Sequence, residues 1–335
     1  MTTRGHVTTT VVPALLLLCG AGIGPHGLAI LTSSVLSFLD PAAPVGLAVF
    51  GITAALRIPT GSTDARRSAA GSMLQAAAAG IAVTATFLLA PPAGATTELF
   101  PVWGTAAVTL GIAASTSFDA EDVVPAVIAG GILLAFAREM TQVAALVTTI
   151  ESCAVAVLIA GSGWLLLSRA SAIDEQRVST FASALLLGGA ADYLSMSALL
   201  LGAAAGGCWH FADNPIREHI RRDLAYISDT LLAFVLVLAG AHASYSVQVL
   251  AIGVGYAIVR ATAKLAARWL GARLSPSDPR RSLKLLMAPG AFGVAFALNL
   301  VRALGDNFAP VLSVVVVGTI ASSFIAAMSP AEAEP

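Results

Sequence analysis

Apolar residues along this chain fall into long unbroken runs rich in Ala, Leu and Val, divided by short stretches that hold most of its arginines. A membrane-crossing helix needs about 20 mainly apolar residues. On that footing the pattern predicts helices over 11–31, 42–57, 69–90, 99–117, 122–137, 141–168, 178–191, 194–210, 224–243, 246–270, 282–304 and 307–328. The runs lack the two-residue alternation of a transmembrane barrel strand. In hydrocarbon a backbone must satisfy its own polar groups, so the remaining choice is helix. The expectation is an all-α, polytopic bundle of about twelve transmembrane helices.

The loops test this list. With strict alternation, one side receives Arg4, the Arg57–Arg67 loop, Arg169 and Arg177, the Arg217–Arg222 loop and the Arg268–Arg281 stretch, while the other receives only Arg138. Basic residues collect in cytoplasmic loops, so both termini are expected in the cytoplasm and the protein in the cytoplasmic membrane. Without the 122–137 helix, Arg57–Arg67 and Arg217–Arg222 would fall on opposite faces. Parity therefore favours an even count.

Composition agrees. Of 335 residues 57% are hydrophobic and 11% charged, where soluble proteins average about 25% charged; the mean hydropathy is +0.85. A net charge of −1 with no basic stripe excludes a nucleic-acid partner. Cys19, Cys153 and Cys208 lie in apolar stretches without metal or redox spacing, so no metal and no cofactor is expected. Gly22-Ile-Gly-Pro-His-Gly27 has the form of a dinucleotide loop but no strand–turn–helix around it. No Ser-His-Asp arrangement suggests an enzyme. Residues 1–335 read as one transmembrane domain with no soluble domain attached. The start of the chain resembles a signal peptide, but Pro13 and the run on to Leu31 read better as a first spanning helix.

Several segments, in order, resemble the cation:proton antiporter superfamily, the membrane domain of sodium/hydrogen exchangers. Gly20-Ala-Gly-Ile-Gly-Pro-His-Gly-Leu28 is similar to its Gly-Pro-x-Gly-Leu segment. Thr116, in Ser115-Thr-Ser117, falls where that family has a Thr/Ser-rich unwound stretch. The helices around Ser195–Gly206 and Leu231–Gly240 flank a charged loop, and Leu285–Gly293 is similar to a second broken helix. The resemblance implies inverted repeats (halves 11–168 and 178–328) and two broken helices crossing at mid-membrane, the second interrupted at Pro289-Gly290. Such breaks free carbonyl oxygens and expose half-helix dipoles. It further implies a monovalent cation (Na⁺ or K⁺) and protons as transported species, and a homodimer in the bilayer. The chain departs from the family at the usual acids: the first break reads Ser-Thr-Ser and the carboxylate-pair position reads Ile150-Glu-Ser152. Asp119-Ala-Glu121-Asp122 is an alternative place for that pair.

Intramembrane acids mark pathways because a carboxylate there costs about 2.5–3.5 kcal/mol on insertion scales. By sequence Glu151 is the deepest, and desolvation would raise its pKa toward neutrality. It is the expected exchanging carboxylate, with Ser152, Thr116 and Ser117 as neutral oxygen ligands. Asp119, Glu121 and Asp122 are either a solvated loop or a funnel floor, and Asp229 is either a helix-start acid or part of the path. Lys284 and Arg302 flank the second break and are candidate charge partners of Glu151. Arg260 and Lys264 are expected to snorkel to the surface, and Asp192 to lie at the interface. The function expected is cation/proton exchange. An organic-anion carrier of the same fold and a non-transporting membrane partner protein are the alternatives.

Overall fold

The computed structural model describes all residues except 1–2, 59–62, 90–99, 117–119, 140, 171, 213, 275–290 and 329–335. Among the described residues every regular element is helical. The helices are α1 (Thr3–Ile23), α2 (Ser33–Leu39), α3 (Ala43–Leu56), α4 (Thr63–Leu89), α5 (Phe100–Ser115), α6 (Ala120–Glu139) and α7 (Gln142–Arg169). They continue with α8 (Ile173–Tyr193), α9 (Ala198–His210), α10 (Asn214–His242), α11 (Val247–Leu274), α12 (Ala291–Leu304) and α13 (Ala309–Met328). A 3₁₀ turn, Asp40–Ala42, joins α2 to α3, so Ser33–Leu56 forms one apolar span. Each predicted segment overlaps a helix, including 122–137. Four helices, α3, α5, α10 and α13, carry proline at their second residue (Pro44, Pro101, Pro215, Pro310), where a missing N–H costs nothing.

Among the boundaries that differ from the sequence reading, two have a clear local cause. α1 stops at Ile23 and not near residue 31, because Gly24–Leu28 closes a turn in which Leu28 N–H donates to Gly22 O (2.7 Å) and Leu31 N–H to Ile23 O (2.7 Å). α9 begins at Ala198 and not 194: Ser195 adopts φ +53°, and Met196 N–H closes back on Ala191 O (2.8 Å). Ser197 then caps α9, its Oγ accepting from Leu200 N–H (3.2 Å).

Lipid offers helices no hydrophobic drive to associate, so close backbone approach does much of the work. α3 packs chiefly on α9 and α1 on α10, both at backbone distance. A Cβ on Gly202 of α9 would fall on the carbonyl oxygen of Ala48, and one on Gly51 of α3 on that of Leu199. The α1–α10 seam repeats the device at Gly20 against Val237 and Gly240 against Leu17. α4 packs on α5 and α11, and α11 also on α13.

Ion pairs sort the helix ends onto two faces. On one, Arg302 at the end of α12 pairs with Asp192 at the end of α8 (2.8 Å) and donates to Asp40 O (2.6 Å). His242 Nε2, at the end of α10, lies 3.3 Å from Asp40 Oδ1. Arg138, at the end of α6, donates to Ser195 O (2.8 Å). On the other face Arg222 and Arg177 pair with Asp223 (3.3 and 3.7 Å), joining the starts of α10 and α8, and Arg217 donates to His210 O at the end of α9 (3.5 Å). These groupings match the alternation expected for these helices.

Candidate functional site

α12 has 14 residues and so runs about 21 Å inward from its Arg302 end. Its first turn therefore lies well inside the apolar layer. Gly293 there packs against the end of α5: a Cβ at Gly293 would stand 2.8 Å from Ala113 O and 3.1 Å from Thr116 Oγ1. One helix thus ends and another begins side by side near mid-depth, with the negative end of one macrodipole beside the positive end of the other.

The last carbonyls of a helix have no partner within it, and inside a membrane they must find one. At α5 side chains provide them. Ser115 Oγ donates to Ile112 O (2.7 Å) and Thr116 Oγ1 to Ala113 O (2.8 Å). Arg260 reaches in from α11, Nε donating to Ala114 O (3.2 Å) and Nη2 to Thr116 O (3.1 Å). Arg260 is thirteen residues, about 20 Å, from the start of α11. It is 3% exposed, and Lys264, one turn on, is 2% exposed. The expectation that these two snorkel is corrected: both are buried in the protein, and Arg260 is committed to the α5 terminus, where a cation interacts well with the dipole.

The other expected site residues scatter. Thr116 is buried at the junction. Glu151 is not there: it lies on the exposed outer face of α7, so its expected place beside the crossing helices is corrected. Ser152, one residue on, is buried, but its Oγ donates to Thr148 O within α7 (2.8 Å). Asp229 is exposed, fifteen residues into α10 because that helix starts at Asn214 and not near 224; the reading of it as a helix-start acid fails. Arg302 pairs with Asp192 and Asp40 at the surface, not with Glu151. Ser117, Asp119, Lys284, Pro289 and Gly290 lie outside the described residues. Glu121 and Asp122 belong to the first turn of α6, whose 20 residues place that turn about 30 Å from its Arg138 end. Their backbone therefore lies toward the arginine-rich face.

Farther along α12, Phe296 fills the space beside Gly130 of α6. Asn299 Oδ1 then accepts from Ala198 N–H (3.2 Å) and its Nδ2 donates to Ser197 Oγ (3.1 Å). α12 is thus tied to the start of α9 at one end and meets α5 at the other. Sequence reading missed Asn299 and misassigned Arg260. For Arg260 a signal existed, since its distance from either end of α11 exceeds the reach of an arginine side chain.

No protein-family model matches the sequence, and no curated protein matches it either. Among solved structures the fold is similar to that of the sodium/proton antiporter MjNhaP1 from Methanocaldococcus jannaschii, with a TM-score of 0.64. The match covers 96% of this chain and 91% of that one at 15% identity. The chain is a multi-pass membrane protein with the fold of a cation:proton antiporter.

Proposed function

We propose that the chain is a secondary transporter exchanging a monovalent cation, Na⁺ or K⁺, for protons, and that exchange occurs at the mid-depth junction of α5, α11 and α12. The observation that supports this best is the meeting of an interrupted α5 with the first turn of α12 inside the apolar layer, its carbonyls held by Arg260. Freed carbonyl oxygens and the Thr116 hydroxyl are hard, neutral ligands suited to a singly charged cation. Arg260 occupies two of these oxygens and serves as an internal cation there. A transported ion reaching the α5 terminus would take over part of that contact.

The proton carrier in this reading is the Asp119–Glu121–Asp122 run, whose α6 part lies on the arginine-rich side of the junction and would pass protons to it from there, since Glu151 faces outward. Asp119, Glu121 and Asp122 follow Thr116 by three to six residues, which puts three acids next along the chain to the junction. Thr116 stands at the first interruption where related antiporters carry an acid, and the adjoining run makes up for it. MjNhaP1 is a sodium/proton antiporter; the same activity is what we assign here, with the termini on the arginine-rich, cytoplasmic side. In proteoliposomes a Na⁺ or K⁺ gradient should drive counter-movement of protons that Asp119→Asn/Asp122→Asn removes. Undiminished flux in that variant would end this assignment.

Among the described residues, the buried charges that α11 brings to this depth, Arg260 and Lys264, are positive, which favours an anion carrier as the second reading. Uptake of an organic anion that Lys264→Gln abolishes, with no cation-coupled proton flux, would support it over exchange.

A further inference from the structure

α7 is a peripheral helix with an open flank. Val147, Ile150, Ala154, Val157, Gly161 and Trp164 are all exposed, Ile150 to 58% and Val157 to 51%. They are spaced by three and four residues in turn, the seven-residue seam along which a second helix can lie. Ala154 and Gly161, one heptad apart, lack the bulk that would hold a neighbouring backbone away, and a Cβ on Gly161 would meet nothing within 4 Å. Gly161 and Trp164 also border an apolar groove of about 320 Å³ shared with the end of α9.

Lipid alone could cover such a surface; Glu151 argues against that. It is exposed immediately beside Ile150, in the flanking position where paired helices place their interhelical salt bridges. It has no hydrogen bond or ion pair among the described residues. The nearby hydroxyls of Thr149 and Ser152 are spent on their own helix, and that of Thr148 lies 3.5 Å from Glu139. α7 has 28 residues, and Glu151 lies within about 7 Å of its midpoint, inside a hydrocarbon layer about 30 Å thick. A carboxylate presented to lipid at that depth is costly, and such residues normally face a partner.

A second copy does not supply one. In a symmetric parallel pair through this seam, Glu151 of each chain would lie beside Leu146 of the other, and both acids would stay unmatched. We infer that the exposed face of α7 is a docking seam for a transmembrane helix of a different protein, one bearing a lysine or arginine at the depth of Glu151.

The test uses the full chain in liposomes, labelled for energy transfer, with synthetic transmembrane peptides of about 24 residues. Their seam positions are Leu and Ala, and one flanking position is Lys in one peptide and Leu in the other. The Lys peptide should associate about three- to fifteenfold more tightly, the range of polar contacts between membrane helices. Glu151→Gln should erase that preference, and Glu151→Lys should transfer it to a Glu-bearing peptide. Ala154→Leu should weaken both peptides by obstructing the seam, and it keeps the test intact should Glu151→Gln fail to fold. Equal binding of the two peptides, a lysine preference that survives Glu151→Gln, or efficient crosslinking of two copies through Ala154→Cys would each overturn the inference.

Discussion

Asn299→Ala offers a quantitative test of how α12 is held. Asn299 is 4% exposed and bridges α12 to the first residue and the cap of α9. Truncation removes two hydrogen bonds, each worth about 1 kcal/mol net, and strands the Ala198 N–H, a buried donor whose desolvation costs about 1–3 kcal/mol. Ser197 Oγ keeps its bond from Leu200 N–H, so only one group is orphaned. The gross loss is therefore about 3–5 kcal/mol. Interhelical polar contacts in membranes measure less, averaging about 0.6 kcal/mol with a maximum near 1.7, because the unfolded chain in lipid also finds partners. A net destabilisation of about 2 kcal/mol follows, read as a shift in reversible unfolding in mixed detergent micelles. Ser197→Ala alone should cost about 1 kcal/mol through the lost cap. The double variant should fall short of the sum by about 0.6–1.7 kcal/mol. If Asn299→Ala unfolds within about 0.5 kcal/mol of the parent, on the order of ordinary surface substitutions, or the two effects add, the tie between α12 and α9 is not as described.

Other expectations follow from the same contacts. Gly202→Leu puts a side chain where Ala48 O lies and should separate α3 from α9. Its expected cost is at least the roughly 1–3 kcal/mol of overpacking, seen as lost folded yield and a lower thermal midpoint. Arg260→Met leaves Ala114 O and Thr116 O without their charged donor, a loss of about 3–6 kcal/mol at roughly 1.5–3 per bond. Arg260→Lys, retaining charge but not the fork, should recover part of it in the same unfolding assay. Glu151→Gln should leave proton flux in proteoliposomes unchanged, because the residue lies on the outer face of α7, away from the α5–α12 junction; a lost flux would return Glu151 to the pathway.

Much of the architecture was legible because hydropathy and charge report depth. The twelve apolar runs found helices, and several of the arginines that set their alternation now pair helix ends on each face. Hydropathy does not report which way a residue faces. Glu151 and Ser152 differ by one residue and so by about 100° around the helix, which is enough to put one outside and the other inside the bundle. The same limit made Arg260 look like a surface residue, when its roughly twenty ångströms of helix on either side argued for a buried role. Asn299 carried no sequence signal at all, since its partners are a cap and a backbone N–H about one hundred residues away. Ser195 was missed for a related reason: a serine at positive φ looks like any helix residue until the corner is seen.

Cation and proton are proposed to compete where α5 ends inside the membrane. Proton flux in proteoliposomes under an imposed Na⁺ or K⁺ gradient, taken across pH for the parent chain and for Thr116→Val, probes that competition without intermediary. Cation-driven proton counter-flux is expected, with an apparent cation affinity that weakens as pH falls and is weaker in Thr116→Val at every pH. Proton flux indifferent to both cations, or a Thr116→Val variant matching the parent throughout, would contradict it.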